Sequence, residues 1–196
     1  MMDYLIHSAI EHYAVTRPEH PALSLQGKEM SYGLLDLKSN QFAHVLIDNG
    51  VVVGDRVGIY MHKSLELGVA IYGILKAGCV FVPLDPFMPA DRLQLIIDDC
   101  GIEHIVSSDA LSQTFYEISS ELNLCVYGTD EALPFTSIPW SAIASYSQAP
   151  INVVMIDQNL GYIMYTSGST GIPKGCLLYT SPSPRDLSTS RMPSSA

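Results

Sequence analysis

The chain has 196 residues, 47% of them hydrophobic and only 15% charged, and its 20 Asp and Glu against 10 Lys and Arg leave a net charge of −10. This length suits one domain with a sizeable core, while the acidic balance excludes nucleic acid as a partner, which needs clustered Lys and Arg. The longest apolar stretch, Val69 to Leu84, is broken by Lys76 and two glycines, so no membrane span is expected.

The N-terminal sequence MMDYLIHSAIEHY lacks a basic region and a small-residue cleavage site, so a soluble, cytoplasmic protein is expected. Apolar residues at 5, 6, 9, 10, 13 and 14 predict a first helix within Asp3–Arg17, ended by Pro18. Pro21–Leu25 reads as a strand followed by a turn at Gln26-Gly27. Ser31 caps a second helix to Asn49, with Gly50 beyond it. Asp55–Met61 is strand-like, Ser64 caps a third helix through Ala77, and Val80–Leu84 is an apolar strand. A fourth helix runs from Pro89-Ala90-Asp91 to Cys100, with Gly101 after it. Glu103–Ser107 and Leu122–Tyr127 read as strands around a weak helix from Asp109. The proline-bearing segment 128–159 is expected to cross the surface, and Gly161–Tyr165 to form a final strand.

Apolar strands alternating with helices predict an α/β fold, a mostly parallel sheet with helices on both faces. The four cysteines, at 79, 100, 125 and 176, match no metal or disulfide spacing and are expected to be reduced and buried. The six histidines are scattered and are expected on the surface or on helix faces. The Asp98-Asp99 pair is expected to be solvated rather than a metal site, and Asp85-Pro86 to form a turn. Residues 176–196 include six Ser, two Thr and three Pro, and such a composition is expected to be disordered.

One segment carries chemistry. After the strand GYIMY comes Thr166-Ser-Gly-Ser-Thr-Gly-Ile-Pro-Lys-Gly175. Glycines let backbone N–H groups turn to a ligand, hydroxyls donate to phosphate oxygens, and Lys174 supplies a point charge. No Lys or Arg lies between Arg92 and Lys174, whereas nine carboxylates do. The combination suits a polyphosphate at the carboxyl end of a parallel strand. It is neither a Walker A loop, because Gly171 stands three residues before Lys174 beside Pro173, nor GxGxxG. For the Ser/Thr/Gly content alone, a flexible turn is the alternative.

YTSGSTGIPKG (Tyr165–Gly175) resembles the phosphate-loop signature of the adenylate-forming (AMP-binding) superfamily, the acyl-CoA synthetases and non-ribosomal peptide synthetase adenylation domains. LKAGCVFVPLDP (Leu75–Pro86) is similar to the family's second core motif, and MSYGLLDLKSNQFAHVL to its first; GDRVGIY and PADRLQLIIDDCG agree in order. The resemblance covers about Leu5 to Gly175. At Leu34 the family usually has Glu, which would complete a capping box with Ser31, so a weaker helix start is expected.

The resemblance implies a Rossmann-like sheet and ATP-dependent activation of a carboxylic acid to an acyl-adenylate. The acyl group would pass to CoA or a carrier-protein phosphopantetheine thiol. It implies that Thr166, Ser167, Gly168, Ser169, Thr170, Gly171 and Lys174 bind the β- and γ-phosphates of ATP. Lys174 would stabilise the charge on pyrophosphate, and Thr166 would lie near Mg2+. The family's aromatic-Gly-x-Thr-Glu segment, ribose-binding Asp and late catalytic Lys follow the loop and do not occur here. Residues 1–175 are therefore expected to be the N-terminal part of an adenylation domain, inactive alone, and 176–196 an extension foreign to it. A non-catalytic nucleotide- or anion-binding module, or an interaction fragment pairing through its sheet edge, are the alternatives.

Overall fold

In the computed structural model, residues 5–118, 121–154, 159–166 and 174–179 are described. A small antiparallel pair, β1 (Pro21–Leu25) with β2 (Lys28–Ser31), turns at Gln26 and Gly27, both at positive φ. The main sheet has seven strands: β3 (Arg56–Tyr60), β4 (Val80–Leu84), β5 (His104–Val106), β6 (Cys125–Tyr127), β7 (Thr136–Ile138), β8 (Leu160–Thr166) and β9 (Lys174–Tyr179). Their spatial order is β7-β6-β5-β3-β4-β8-β9, and every neighbouring pair is parallel except β8 with β9. The α/β, mostly parallel sheet expected from the sequence is present.

Five α-helices complete the fold among the described residues: α1 (Ser8–Thr16), α2 (Tyr32–Asp48), α3 (Leu65–Lys76), α4 (Ala90–Cys100) and the short α5 (Trp140–Ile143). A 3-10 helix spans Asp109–Tyr116. The starts of α2 and α3 follow from hydroxyl caps: Ser31 Oγ accepts from Leu34 N at 3.4 Å, and Ser64 Oγ from Leu67 N at 3.1 Å. The longer contact is the one at Leu34, where no acid is present to reciprocate. Gly101 ends α4 in the left-handed conformation, as a glycine just past a helix commonly does.

Alternation along the strands divides the core between the two faces. Val57 and Ile59 join Phe42, Leu46, Ala70 and Ile74 on the α2/α3 face. Tyr60, Val82 and Leu84 join Leu93, Ile97 and Phe115 on the α4 face. Each fully buried Val, Leu, Ile or Phe among them contributes roughly 1.5–3 kcal/mol. Helices α2 and α3 pack tightly because Gly73 has no side chain: a Cβ there would stand 2.7 Å from Phe42 Cδ1. Across β4 and β8 the Phe81 and Tyr162 rings stack 5.0 Å apart at the one register pair those strands share.

Four elements depart from the sequence expectations. Strand β2 was not anticipated, nor were β7 and α5 inside 128–159. Strand β9 crosses the boundary placed at 175/176, since Cys176–Tyr179 pair with Leu160–Met164. Their backbone groups are satisfied by β8, a long-range partner that local composition cannot reveal. Residues 180–196 lie outside the described residues.

Candidate functional site

The Thr166–Gly175 motif begins in β8 and ends in β9. Thr166 and Lys174, the residues that flank 167–173, are cross-strand neighbours and meet at one point. That point is the carboxyl end of β8, which runs parallel to β4, on the side of the sheet where open α/β proteins bind ligands. The structure thus brings together the backbones of Thr166 and Lys174. Ser167, Gly168, Ser169, Thr170 and Gly171 lie outside the described residues.

The root of the loop is tethered to α4. The Tyr165 hydroxyl donates to Asp99 Oδ2, and Cys100 Sγ lies 3.0 Å from that hydroxyl. Burial, and then the Asp99 and Cys100 contacts, push the Tyr165 phenol well above its usual range. Burial also raises the Cys100 thiol. Asp99, expected to be merely solvated, is therefore an anchor for the strand that carries the motif. Its partner stands 66 positions away, which no local pattern shows.

Beside Tyr165 opens a cleft of about 630 Å³, lined by Leu84, Asp85, Phe87, Arg92, Met164 and Tyr165. Asp85 closes the expected turn by accepting from Phe87 N at 3.0 Å. Arg92, the last base before the long gap in basic residues, lines this cleft at the strand end where the motif begins. Sequence reasoning did not single it out, although its position at the edge of the gap was the available signal.

The remaining sequence candidates have structural partners. Cys79 and Cys100 are buried free thiols, as expected, and Cys125 is half-buried; burial pushes Cys79 up to about 12. The expectation for histidines fails at His7, which is buried, and at His104, whose Nδ1 lies 2.9 Å from the Tyr127 hydroxyl. Burial lowers the His104 pKa. Among the described residues no group of three His, Cys, Asp or Glu could hold a metal, and no helix is long and apolar enough to cross a membrane.

A second cavity, of about 420 Å³, lies on the far side of β4 from the loop, at the carboxyl ends of β3 and β5. Trp140, Met61 and Lys38 are among its walls. Its residues come from separate segments, so no motif pointed to it.

The architecture and the motif have counterparts among known proteins. Surfactin synthase subunit 1 of Bacillus subtilis (strain 168) is 32% identical over 176 residues, covering 90% of this chain and 5% of that protein. Tyrocidine synthase 1 of Brevibacillus parabrevis is 31% identical over 173 residues, covering 88% of this chain and 15% of that protein. The chain thus spans a small part of the relatives it matches. Among solved structures, the AMPPNP-bound form of the non-ribosomal peptide synthetase FmoA3 superposes with a TM-score of 0.74 at 26% identity, covering 91% of this chain and 18% of that one. The anthranilate CoA ligase AuaEII shares the fold, with a TM-score of 0.83 at 21% identity over 92% of this chain and 35% of its own. The family model described as AMP-binding enzyme matches residues 10–182, taking in both sheet faces, the β8–β9 loop and all of β9. With that match running through the hairpin that the motif closes, the chain belongs to the AMP-binding enzyme family.

Proposed function

We propose that this chain is the nucleotide-phosphate-binding part of an enzyme that activates a carboxylic acid with ATP. In that reaction a carboxylate oxygen attacks the α-phosphorus, the bond to the pyrophosphate oxygen breaks, and pyrophosphate departs with the electron pair, leaving an acyl-adenylate. A thiol, of CoA or of a carrier-protein phosphopantetheine, then takes the acyl group. The observation that carries the reading is the Thr166–Lys174 pairing, which closes a Gly- and hydroxyl-rich loop at the carboxyl end of a parallel strand.

That donor set fits a polyphosphate. Backbone N–H groups freed by Gly168 and Gly171, the hydroxyls of Thr166, Ser167, Ser169 and Thr170, and the Lys174 ammonium would hold the β- and γ-phosphates. Lys174 offsets the charge that develops on departing pyrophosphate. Mg2+ fits as a companion of ATP rather than as a resident ion, because the loop offers neutral oxygens such as that of Thr166 and no carboxylate. When bound, it would neutralise phosphate charge. Tyr165, tied to Asp99, holds the start of the loop against α4.

The chain alone is expected to bind without turning over. Clamped phosphates are one requirement; an anchored ribose and a cation against the attacking carboxylate are the others. Positioning can account for about 7–11 kcal/mol of a barrier. Mg-ATP should raise the melting temperature of residues 1–196, and Lys174→Ala should abolish the rise. ATP–pyrophosphate exchange with amino, aryl and fatty acids should remain at background. No thermal shift would refute the phosphate site, and acid-dependent exchange above the Lys174→Ala control would refute the inactivity.

A further inference from the structure

The cavity at the carboxyl ends of β3 and β5 occupies a particular place in the topology. From β3 the chain moves one way, through α3 to β4; from β4 it returns through α4, past β3, to β5. Strands β3 and β5 are parallel neighbours whose following segments diverge to opposite faces: α3 packs with the α2 cluster, and the 3-10 helix, through Leu111 and Phe115, with the α4 cluster. This reversal of strand order opens a crevice, and such switch points are where doubly wound sheets receive ligands. It lies on the opposite side of β4 from the β8–β9 loop, so it is independent of the phosphate-binding reading.

The crevice has apolar side chains on one side and, on the other, two helix starts with Lys38 and Lys63 beside Glu66 and Asp109. Trp140, Met61, Val69 and Ile143 line the apolar side. Gly128 keeps it open, since a Cβ there would stand 2.7 Å from Trp140 Nε1 and 2.8 Å from the Ser107 carbonyl oxygen. The α3 N-terminus, capped by Ser64, and that of the 3-10 helix, led by Ser108, both border the space, and helix N-termini present unpaired N–H groups and positive partial charge. The Ser108 side chain makes no cap hydrogen bond of its own. Lys38, half-buried on α2, and Lys63, exposed before α3, add full charges.

Two acids share the lining; Asp109 is an anion there, so the charge of an anionic ligand has to lie on the lysine side of the space. Asp109 Oδ1 already accepts from Thr129 Oγ1 at 2.6 Å and from Asp130 N at 2.8 Å, bonds that hold its pKa low. Glu66 sits in the first turn of α3, where it compensates that helix end. Lys38 and Lys63 are left as the cations facing the space. At about 420 Å³ the cavity matches the size of small-molecule sites.

We propose that this switch-point cavity is a second ligand site, taking a small aromatic carboxylate whose ring lies against Trp140 and whose anion meets Lys38, Lys63 and the helix N-termini. Trp140 is the chain's one tryptophan, so its fluorescence reports this site directly. The test titrates the full chain with 4-iodobenzoate, whose iodine quenches indole emission on contact, and in parallel with neutral 4-iodobenzamide. Saturable quenching by the benzoate at a concentration at least about tenfold lower than the amide is expected, a difference of about 1.4 kcal/mol. In Lys38→Gln/Lys63→Gln the preference should vanish while weak quenching by the amide persists; circular dichroism confirms that this variant folds. Linear, unsaturable quenching, equal response to both probes, or a preference unchanged in the double variant would overturn the proposal. Quenching should be indifferent to Mg-ATP, which separates this site from the loop; competition by Mg-ATP would count against it.

Discussion

Lys76 Nζ lies 2.6 Å from Asp36 Oδ1, joining α3 to α2. The lysine is 5% exposed, and it also donates to Asn40 Oδ1 at 2.7 Å and to the Asp36 carbonyl at 3.2 Å. Asn40 in turn donates to the Gln148 carbonyl at 3.0 Å, so one buried cation organises both helices and the loop before β8.

Removing that cation leaves an acid and an amide without their partner. Lys76→Met should therefore destabilise by about 3 kcal/mol, the lower end for a broken buried pair, because Asp36 retains some solvent. The double variant Lys76→Met/Asp36→Leu should recover part of the loss. Chemical denaturation of the two variants checks this; a double variant no better than the single would mean that the pair is not the source of the effect.

Gly128 is constrained twice, by φ of +90° and by the Trp140 indole and Ser107 carbonyl against its missing side chain. Gly128→Ala should cost roughly 1–3 kcal/mol from backbone strain alone. It should also shift the Trp140 emission as the indole gives way. Thermal melts followed by fluorescence read both; an unchanged emission spectrum would show that the indole does not move.

His104 carries a pH signature. Burial lowers its folded pKa below the usual 6.5. Above the unfolded value the ring is neutral in both states and its contribution is fully present. As pH falls from about 6.5 toward the folded pKa, the unfolded chain takes up the proton first and stability is lost. Stability measured at pH 7.5, 6.5 and 5.5 should therefore decline faster in the parent than in His104→Gln, the two curves converging toward acid pH. Parallel curves would exclude His104 as the group responsible.

The Tyr165–Asp99 tether can be tested without touching the loop. Tyr165→Phe keeps the ring and loses the hydroxyl that meets Asp99 and Cys100, and should cost about 1.5 kcal/mol, the lower end for a bond to a charged group, because Asp99 is exposed. Asp99→Asn, which keeps an acceptor, should cost less. Equal losses would assign the effect to charge rather than to the hydrogen bond.

Where local chemistry dictates structure, the sequence was readable. Ser31 and Ser64 before apolar helical periods, and Gly50, Gly78 and Gly101 after them, bracket α2, α3 and α4 within a residue or two. Strands β3 and β4 declare themselves by continuous apolar runs. The hidden elements are those made by distant partners. Lys-Glu-Met-Ser is a strand because β1 folds back on it. Cys176–Tyr179 merge in composition with the Ser- and Pro-rich stretch after them, yet β8 recruits them. The loop motif was legible as ten contiguous residues; the switch-point cavity was not, because Lys38, Lys63, Gly128 and Trp140 are united only by the sheet order.

The antiparallel pairing of β9 gives that recruitment a measurable weight. Truncation after Gly175 removes four paired residues from the ladder, whereas truncation after Tyr179 leaves it whole. The shorter product should melt several degrees lower than the longer one. Equal melting temperatures would mean that β9 contributes nothing to stability.

The same hairpin makes the motif a matter of parity. With Thr166 opposite Lys174, the two positions share one face of the ribbon, and alternation commits every later residue of β9 to a side. Adding or removing two residues between them could in principle be absorbed as a wider or narrower arch. A slip of a single step along β8 could not: it would carry position 174 to the reverse of the sheet and shift every later position of the strand with it. The hairpin thus acts as a counting device, in which the pairing of backbone atoms decides to which face of the sheet its lysine belongs.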